Sequence, residues 1–295
     1  MDVSLIIAWL GFTLAAYSVV GNDVIQTLGT FLSSNEKKPW YVLFGFAGVV
    51  LVASLWVGYN GGDIAHGRLD KYAIPEVITW WYLLPPLVLL LITRSGIPVS
   101  TTFMILTLFS LTAIEGGNVG EILGNVIDTD TKLGGMINKS IMGYLISFSV
   151  SIVVYLVISN FIEKYFLDNK IKPTEQTVWT VLQWGATGFL WYQWLTQDLA
   201  NIYVFLGLGK TKSEGLMIGG AEFALSCFII VGLLGYIFYS KGGAVQKVVL
   251  AKTNTTDIRS ATIVDLIYGI ILFVFKTNSL GLFEAKLPMS TTWVF

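Results

Sequence analysis

Of the 295 residues only 13% are charged and 54% are hydrophobic, where soluble domains carry roughly 25% charged residues; with a mean hydropathy of +0.70, this excludes a fold surrounded by water. A net charge of −1 leaves no basic excess for nucleic acid. One cysteine (Cys227) and one histidine (His66) exclude an internal disulfide and a soft-ligand metal centre.

What is left is an all-α, polytopic bundle of transmembrane helices, and the length suffices for roughly eight to ten spans of about 20 residues. The N-terminus lacks the basic region and cleavage site of a signal peptide, so the first apolar run is expected to be retained. In chain order, charge-free runs predict spans over Val3–Asn22, Pro39–Gly62, Val77–Thr93, Ser95–Ile114, Ser140–Ile162, Gln176–Gln197 and Phe223–Ser240. Leu266–Phe275 is too short unless Asp265 enters the membrane; Asp265 and Glu222 lie in or beside apolar sequence, and an interfacial position is expected for both over the alternative of a buried acid. Trp80, Trp81, Tyr82, Trp191 and Tyr192 are expected in aromatic belts. His66 stands in a polar stretch with Arg68, Asp70 and Lys71, which predicts a solvated side chain. Lys and Arg are scattered over the loops, so no orientation follows from charge.

The polar segment Lys164–Glu175 divides the chain into a first membrane repeat, 1–163, and a second, 176–295. The halves share three elements in the same order. Asn22-Asp23-Val24-Ile25-Gln26 answers to Gln197-Asp198-Leu199-Ala200-Asn201, Gly61-Gly62 to Gly242-Gly243, and Pro98-Val99-Ser100-Thr101-Thr102 to Pro288-Met289-Ser290-Thr291-Thr292. The separations are 175 residues from Asp23 to Asp198, 181 from Gly61 to Gly242 and 190 from Ser100 to Ser290, as an old duplication with small insertions would give.

A carboxylate with apolar sequence on both sides costs several kcal/mol to bury unless paired or hydrated. Asp23 and Asp198 are read as marking broken helices whose loosened backbone faces a cavity and binds a cation, with Asn22, Gln26, Gln197 and Asn201 as neutral oxygen ligands. The competing reading puts each Asp at the membrane interface at a helix end. Pro followed by Ser-Thr-Thr starts a helix, whose free N–H groups and hydroxyls suit an oxyanion. Ser100, Thr101, Thr102, Ser290, Thr291 and Thr292 are therefore the candidate substrate ligands, against the plainer reading of two capped helices. The sequence from Ser95 also suits a re-entrant hairpin. No Lys or Arg lies within these four elements, so counter-charge is expected from bound cations or protons.

Together these motifs resemble the signature of the inorganic phosphate transporter (PiT) family. That family carries an Ala-Asn-Asp-Val-Ala-Asn element and a later Pro-Val-Ser-Thr-Thr element in each of two inverted halves. The departures are Gln26, Gln197 and Leu199 within the Asp elements, and Phe103 and Trp293 where the family has His. The resemblance implies two inverted repeats with broken helices and re-entrant hairpins. It also implies a secondary transporter of inorganic phosphate coupled to sodium or to protons, with sodium, held by Asp23 and Asp198, favoured by the hard oxygen ligands. The second half is expected to be incomplete relative to the family. The rival readings are a sulfate or other oxyanion permease of the same fold, and a non-transporting membrane receptor or assembly module. No enzyme is expected, since no Ser–His or metal-ligand constellation lies in the spans. The expected partners are phosphate, sodium or protons, the lipid bilayer of a cell or plasma membrane and a second copy in a homodimer, with no cofactor beyond the coupling ion.

Overall fold

The structure, a computed structural model, describes residues 2–97, 99–111, 124, 127, 128, 130–241, 257–277, 279 and 281. Among them there is no strand. Helix α1 (Val3–Val19) opens at Asp2, whose side chain accepts from the Ser4 N–H at 3.0 Å. It runs through a wider π turn, Val20–Val24, into α2 (Ile25–Ser34). Helix α3 (Trp40–Asn60) follows Pro39, and a 3₁₀ turn at Trp80–Leu83 leads into α4 (Leu84–Arg94). Then come α5 (Thr101–Leu111) and α6 (Lys132–Val153), which continues as a π-helical stretch, Val154–Glu163, into α7 (Lys164–Asp168). The second part holds α8 (Pro173–Asp198), α9 (Ala200–Tyr203), α10 (Gly220–Tyr239) and α11 (Ile258–Thr277).

Each of the seven charge-free runs thus contains a helix, although residues 77–79 and the described residues of 95–100 are not helical. Among the described residues four helices are long and apolar enough to cross a membrane: Val3–Ser34, Trp40–Asn60, Gly220–Tyr239 and Ile258–Thr277. At 1.5 Å per residue, 20 residues span about 30 Å, the thickness of a hydrocarbon core. Their outward faces are apolar, with Val49, Trp56, Leu225 and Phe228 exposed on α3 and α10. A surface of this kind suits lipid and would aggregate in water.

The two expected breaks take different forms. At Asp23 the helix widens for one turn, and at Leu199 it turns between α8 and α9. The polar segment between the halves is helical through Asp168. Arg259, at the start of α11, donates to the carbonyls of Phe166 and Asn169 at 2.8 Å each, which closes the C-terminal end of α7.

Packing follows from small residues at the contacts. A Cβ on Gly269 of α11 would lie 2.7 Å from the Phe189 ring of α8, and one on Gly11 of α1 would lie 2.3 Å from Phe205. Only glycine lets these elements approach so closely. Trp191 is not in an interfacial belt. It is fully buried, stacked on Trp194 at 4.8 Å, and its indole N–H donates to the Ala47 carbonyl at 2.9 Å. Trp80 and Trp81 are exposed, as a belt requires, whereas Tyr82 is buried against the Phe109 ring. Glu222 sits at the start of α10, exposed, and accepts from the Gly219 N–H at 2.8 Å.

Asp265 departs from expectation. It lies inside α11 and is fully buried, because that helix is continuous across it and packs along α8.

Candidate functional site

Helix α4 has 11 residues and rises about 16 Å, roughly half a hydrocarbon core. It ends in a turn with Gly96 at φ 75°, after which the chain comes back on α4 as α5. This hairpin delivers the start of α5 to both Asp elements. Ser100 caps the helix, its hydroxyl accepting from the Phe103 N–H at 3.4 Å. The next two hydroxyls face inward. Thr101 donates to Asp23 Oδ2 at 2.6 Å, and Thr102 donates to Asp198 Oδ1 at 2.9 Å.

Asn201 ties the two sides together. Its Nδ2 donates to Thr101 Oγ1 at 3.1 Å, Thr102 Oγ1 at 3.0 Å and Asp198 Oδ1 at 3.0 Å. Asn22 Nδ2 donates to Asp23 Oδ1 at 2.5 Å and to the Val99 carbonyl at 2.8 Å. Residues 175 positions apart in sequence are therefore linked by a short chain of hydrogen bonds, and the two carboxylates act on each other electrostatically. Asn22, Asp23, Gln26, Gln197, Asp198, Asn201 and Thr101 are all buried. Neither aspartate stands at a solvated helix end.

The donors and acceptors do not balance. Gln26 uses Nε2 on the Asn22 carbonyl and Gln197 uses Nε2 on the Gln193 carbonyl, both at 3.3 Å. Yet Gln26 Oε1, Gln197 Oε1 and Asn201 Oδ1 are buried without any donor. Both donors to Asp198 converge on Oδ1. Buried polar atoms are normally satisfied. Oxygen acceptors in excess of donors are what a hard cation fills. The cavity beside these turns is apolar, lined by Val20, Val24, Trp191, Leu195, Leu199 and Leu234 among others, and it is not a polar ligand site.

The counter-charge expectation needs correction. Arg68 Nε donates to the Gln197 carbonyl at 3.2 Å, and its guanidinium acts electrostatically on Asp198. Lys276, from the end of α11, donates to the Thr196 hydroxyl. Two cationic side chains from distant sequence thus meet the Asp198 element. Arg68 is held there because its loop is pinned to residues 210–216. Ile74 N–H donates to the Lys210 carbonyl at 2.9 Å, Ile64 N–H to the Leu216 carbonyl at 3.0 Å, and Leu216 N–H to Asp63 Oδ1 at 3.1 Å.

His66 is half-buried and not fully solvated. It folds against Gly58 with Nε2 buried and without a partner, at φ 51°. Burial first, and then the Lys276 ammonium, hold its imidazole below the ordinary value, with Asp63 opposing.

Ser290, Thr291, Thr292, Gly242, Gly243 and Pro98 lie outside the described residues. Sequence reasoning missed Arg68, Lys276 and the partners of Asp265. Only the acid inside an apolar run signalled the last of these.

No family model and no curated protein matches the chain. A solved structure of a sodium-dependent phosphate transporter matches it with a TM-score of 0.59 at 19% identity, covering 99% of this chain and 87% of that one. The chain has the fold of that transporter. At 99% coverage the match takes in the helices that carry Asp23, Asp198 and the Thr101–Thr102 turn.

Proposed function

We propose that the chain is a multi-pass secondary transporter of inorganic phosphate, coupled to sodium and built from two related halves. Three buried amide oxygens without donors, on residues of the two Asp elements, together with two interacting carboxylates, carry this reading. They form an oxygen-only ligand set, with Arg68 the fixed positive charge on the Asp198 side, and such a set suits a hard monovalent cation. The name of the structural neighbour, and the resemblance of the motifs, supply phosphate as the substrate.

In this reading Asn22, Asp23, Gln26, Gln197, Asp198 and Asn201 bind the coupling cation. Thr101 and Thr102 stand between that site and the anion, with Ser290, Thr291 and Thr292 completing the anion site from the second half. Cation at the carboxylates attracts the dianion, so each ligand tightens the other by linkage. Arg68 adds fixed positive charge on the Asp198 side.

Isothermal titration of the purified chain with sodium, and with potassium as control, tests the cation site. Saturable sodium binding that tightens when phosphate is present is expected. Binding unchanged in Asp23→Asn and Asp198→Asn would overturn the assignment.

A further inference from the structure

Asp265 belongs to a second buried polar cluster, apart from the central site. Thr30 of α2 donates to Oδ1, and Thr187 of α8 donates to Oδ2 at 2.5 Å. Gln183 donates to Thr187 at 3.1 Å, Asn35 donates to Gln183 at 3.0 Å, and the Trp184 indole donates to Asn35 at 3.2 Å. Every one of these partners is neutral.

The charged groups on the packed elements lie elsewhere. Helix α2 itself carries none; Asp23, in the turn that runs into it, stands seven residues from Thr30, about 10 Å along the axis, and Lys38 lies over the Trp184 ring, 5.8 Å from its centroid. On α8, Glu175 and Asp198 stand 12 and 11 residues from Thr187, about 16–18 Å along the axis. On α11, Arg259 is engaged by Asp257 and by the carbonyls of α7, and Lys276 by Thr196. A fully buried carboxylate without counter-charge is costly in a membrane span, and either a proton or a metal cation would remove that charge.

The bonding pattern decides between them. At the central site three amide oxygens lack donors. Here both carboxylate oxygens accept a hydroxyl, and the oxygens of Gln183 and Asn35 each accept an N–H. No buried oxygen of this cluster is left over. Such a closed cluster accommodates a proton and offers no spare ligands to sodium.

We propose that Asp265 is a proton-binding site, distinct from the cation site at Asp23 and Asp198, and that its proton modulates transport through α2. A protonated carboxyl must donate, and Thr30 can take that bond because Thr187 already accepts from Gln183. The Thr30 hydroxyl proton then turns to its own helix, where Ser and Thr bond the carbonyl four residues back. That residue is Gln26, whose Nε2 holds the Asn22 carbonyl in the central site. The proton comes from water and returns to it. The link to transport rests on the function proposed above, whereas proton binding at Asp265 does not.

Infrared difference spectra of the full chain in lipid, recorded between acid and alkaline media, test the proton directly. A carboxylic C=O band is expected in the wild type and in Asp23→Asn, absent in Asp265→Asn, and shifted in Thr187→Val, which keeps the acid but deletes one of its hydrogen bonds. Sodium-driven phosphate uptake by Asp265→Asn should persist and lose its dependence on pH. A band that survives unchanged in Asp265→Asn and Thr187→Val overturns the site. If Asp265→Asn does not fold, the Thr187→Val spectrum decides alone. A wild-type band without any pH dependence of uptake overturns the modulating role. If no variant takes up phosphate, the transport reading fails while the band still decides the proton.

Discussion

Replacing Asp198 by asparagine separates charge from hydrogen bonding at the central site. Thr102 and Asn201 both donate to Oδ1. An amide placed with its oxygen there keeps both bonds, and its NH₂ takes the place of Oδ2, which neither donor uses. The fold should therefore survive, since relief of the repulsion between the two carboxylates offsets the lost attraction of Asp198 to Arg68. The cost falls on the cation. Two unit charges 4 Å apart interact by about 4 kcal/mol at an effective dielectric of about 20, which is roughly a thousandfold in affinity. Sodium titration of wild type and Asp198→Asn, with thermal unfolding of both in detergent, measures the two effects separately. Sodium affinity within tenfold of wild type, together with an unchanged melting temperature, would refute the reasoning.

Thr101→Val keeps the side-chain shape but removes a hydroxyl bonded to Asp23. Hydrogen bonds to charged groups contribute about 1.5–3 kcal/mol, and chemical denaturation should show a loss of that size. Gly269→Ala pushes a methyl against the Phe189 ring and the Leu190 Cα of α8. Overpacking of this kind costs about 1–3 kcal/mol, seen as a lower melting temperature and a displaced Asp265 band in the infrared. Arg259, by hydrogen bonding first, holds the Asp257 carboxyl below its ordinary value. A lowered carboxyl adds stability that is complete above about pH 4 and fades as pH falls through the folded value. The melting temperatures of wild type and Asp257→Asn should accordingly converge in acid.

Much of this was legible in the sequence because lipid makes charge expensive. Charge-free runs marked three of the four described long apolar helices, and missed Ile258–Thr277 because Asp265 interrupts it; Asp23 and Asp198 stood out by interrupting such runs. Their meeting was legible only through the duplicated motifs, since nothing local to Asn201 says that it will bond Thr101 and Thr102. Arg68 and Lys276 were not legible. They reach the Asp198 element from loops and helix ends more than 70 residues away in sequence, and their local sequence reads as ordinary polar surface. Trp191 was misread because an indole at a span end suits the interface, and only the Ala47 carbonyl and the face of Trp194 show that it is core. Asp265 was placed at the interface because Thr30 and Thr187, which make its burial tolerable, are silent in hydropathy.

The central claim is coupled movement of phosphate through the paired Asp elements. Uptake of labelled phosphate and labelled sulfate into proteoliposomes, with sodium and pH gradients imposed separately, tests it most directly. Phosphate accumulation driven by an inward sodium gradient is expected, abolished in Asp23→Asn and in Asp198→Asn, with little sulfate uptake. Phosphate accumulation indifferent to sodium, or undiminished in both variants, would contradict it.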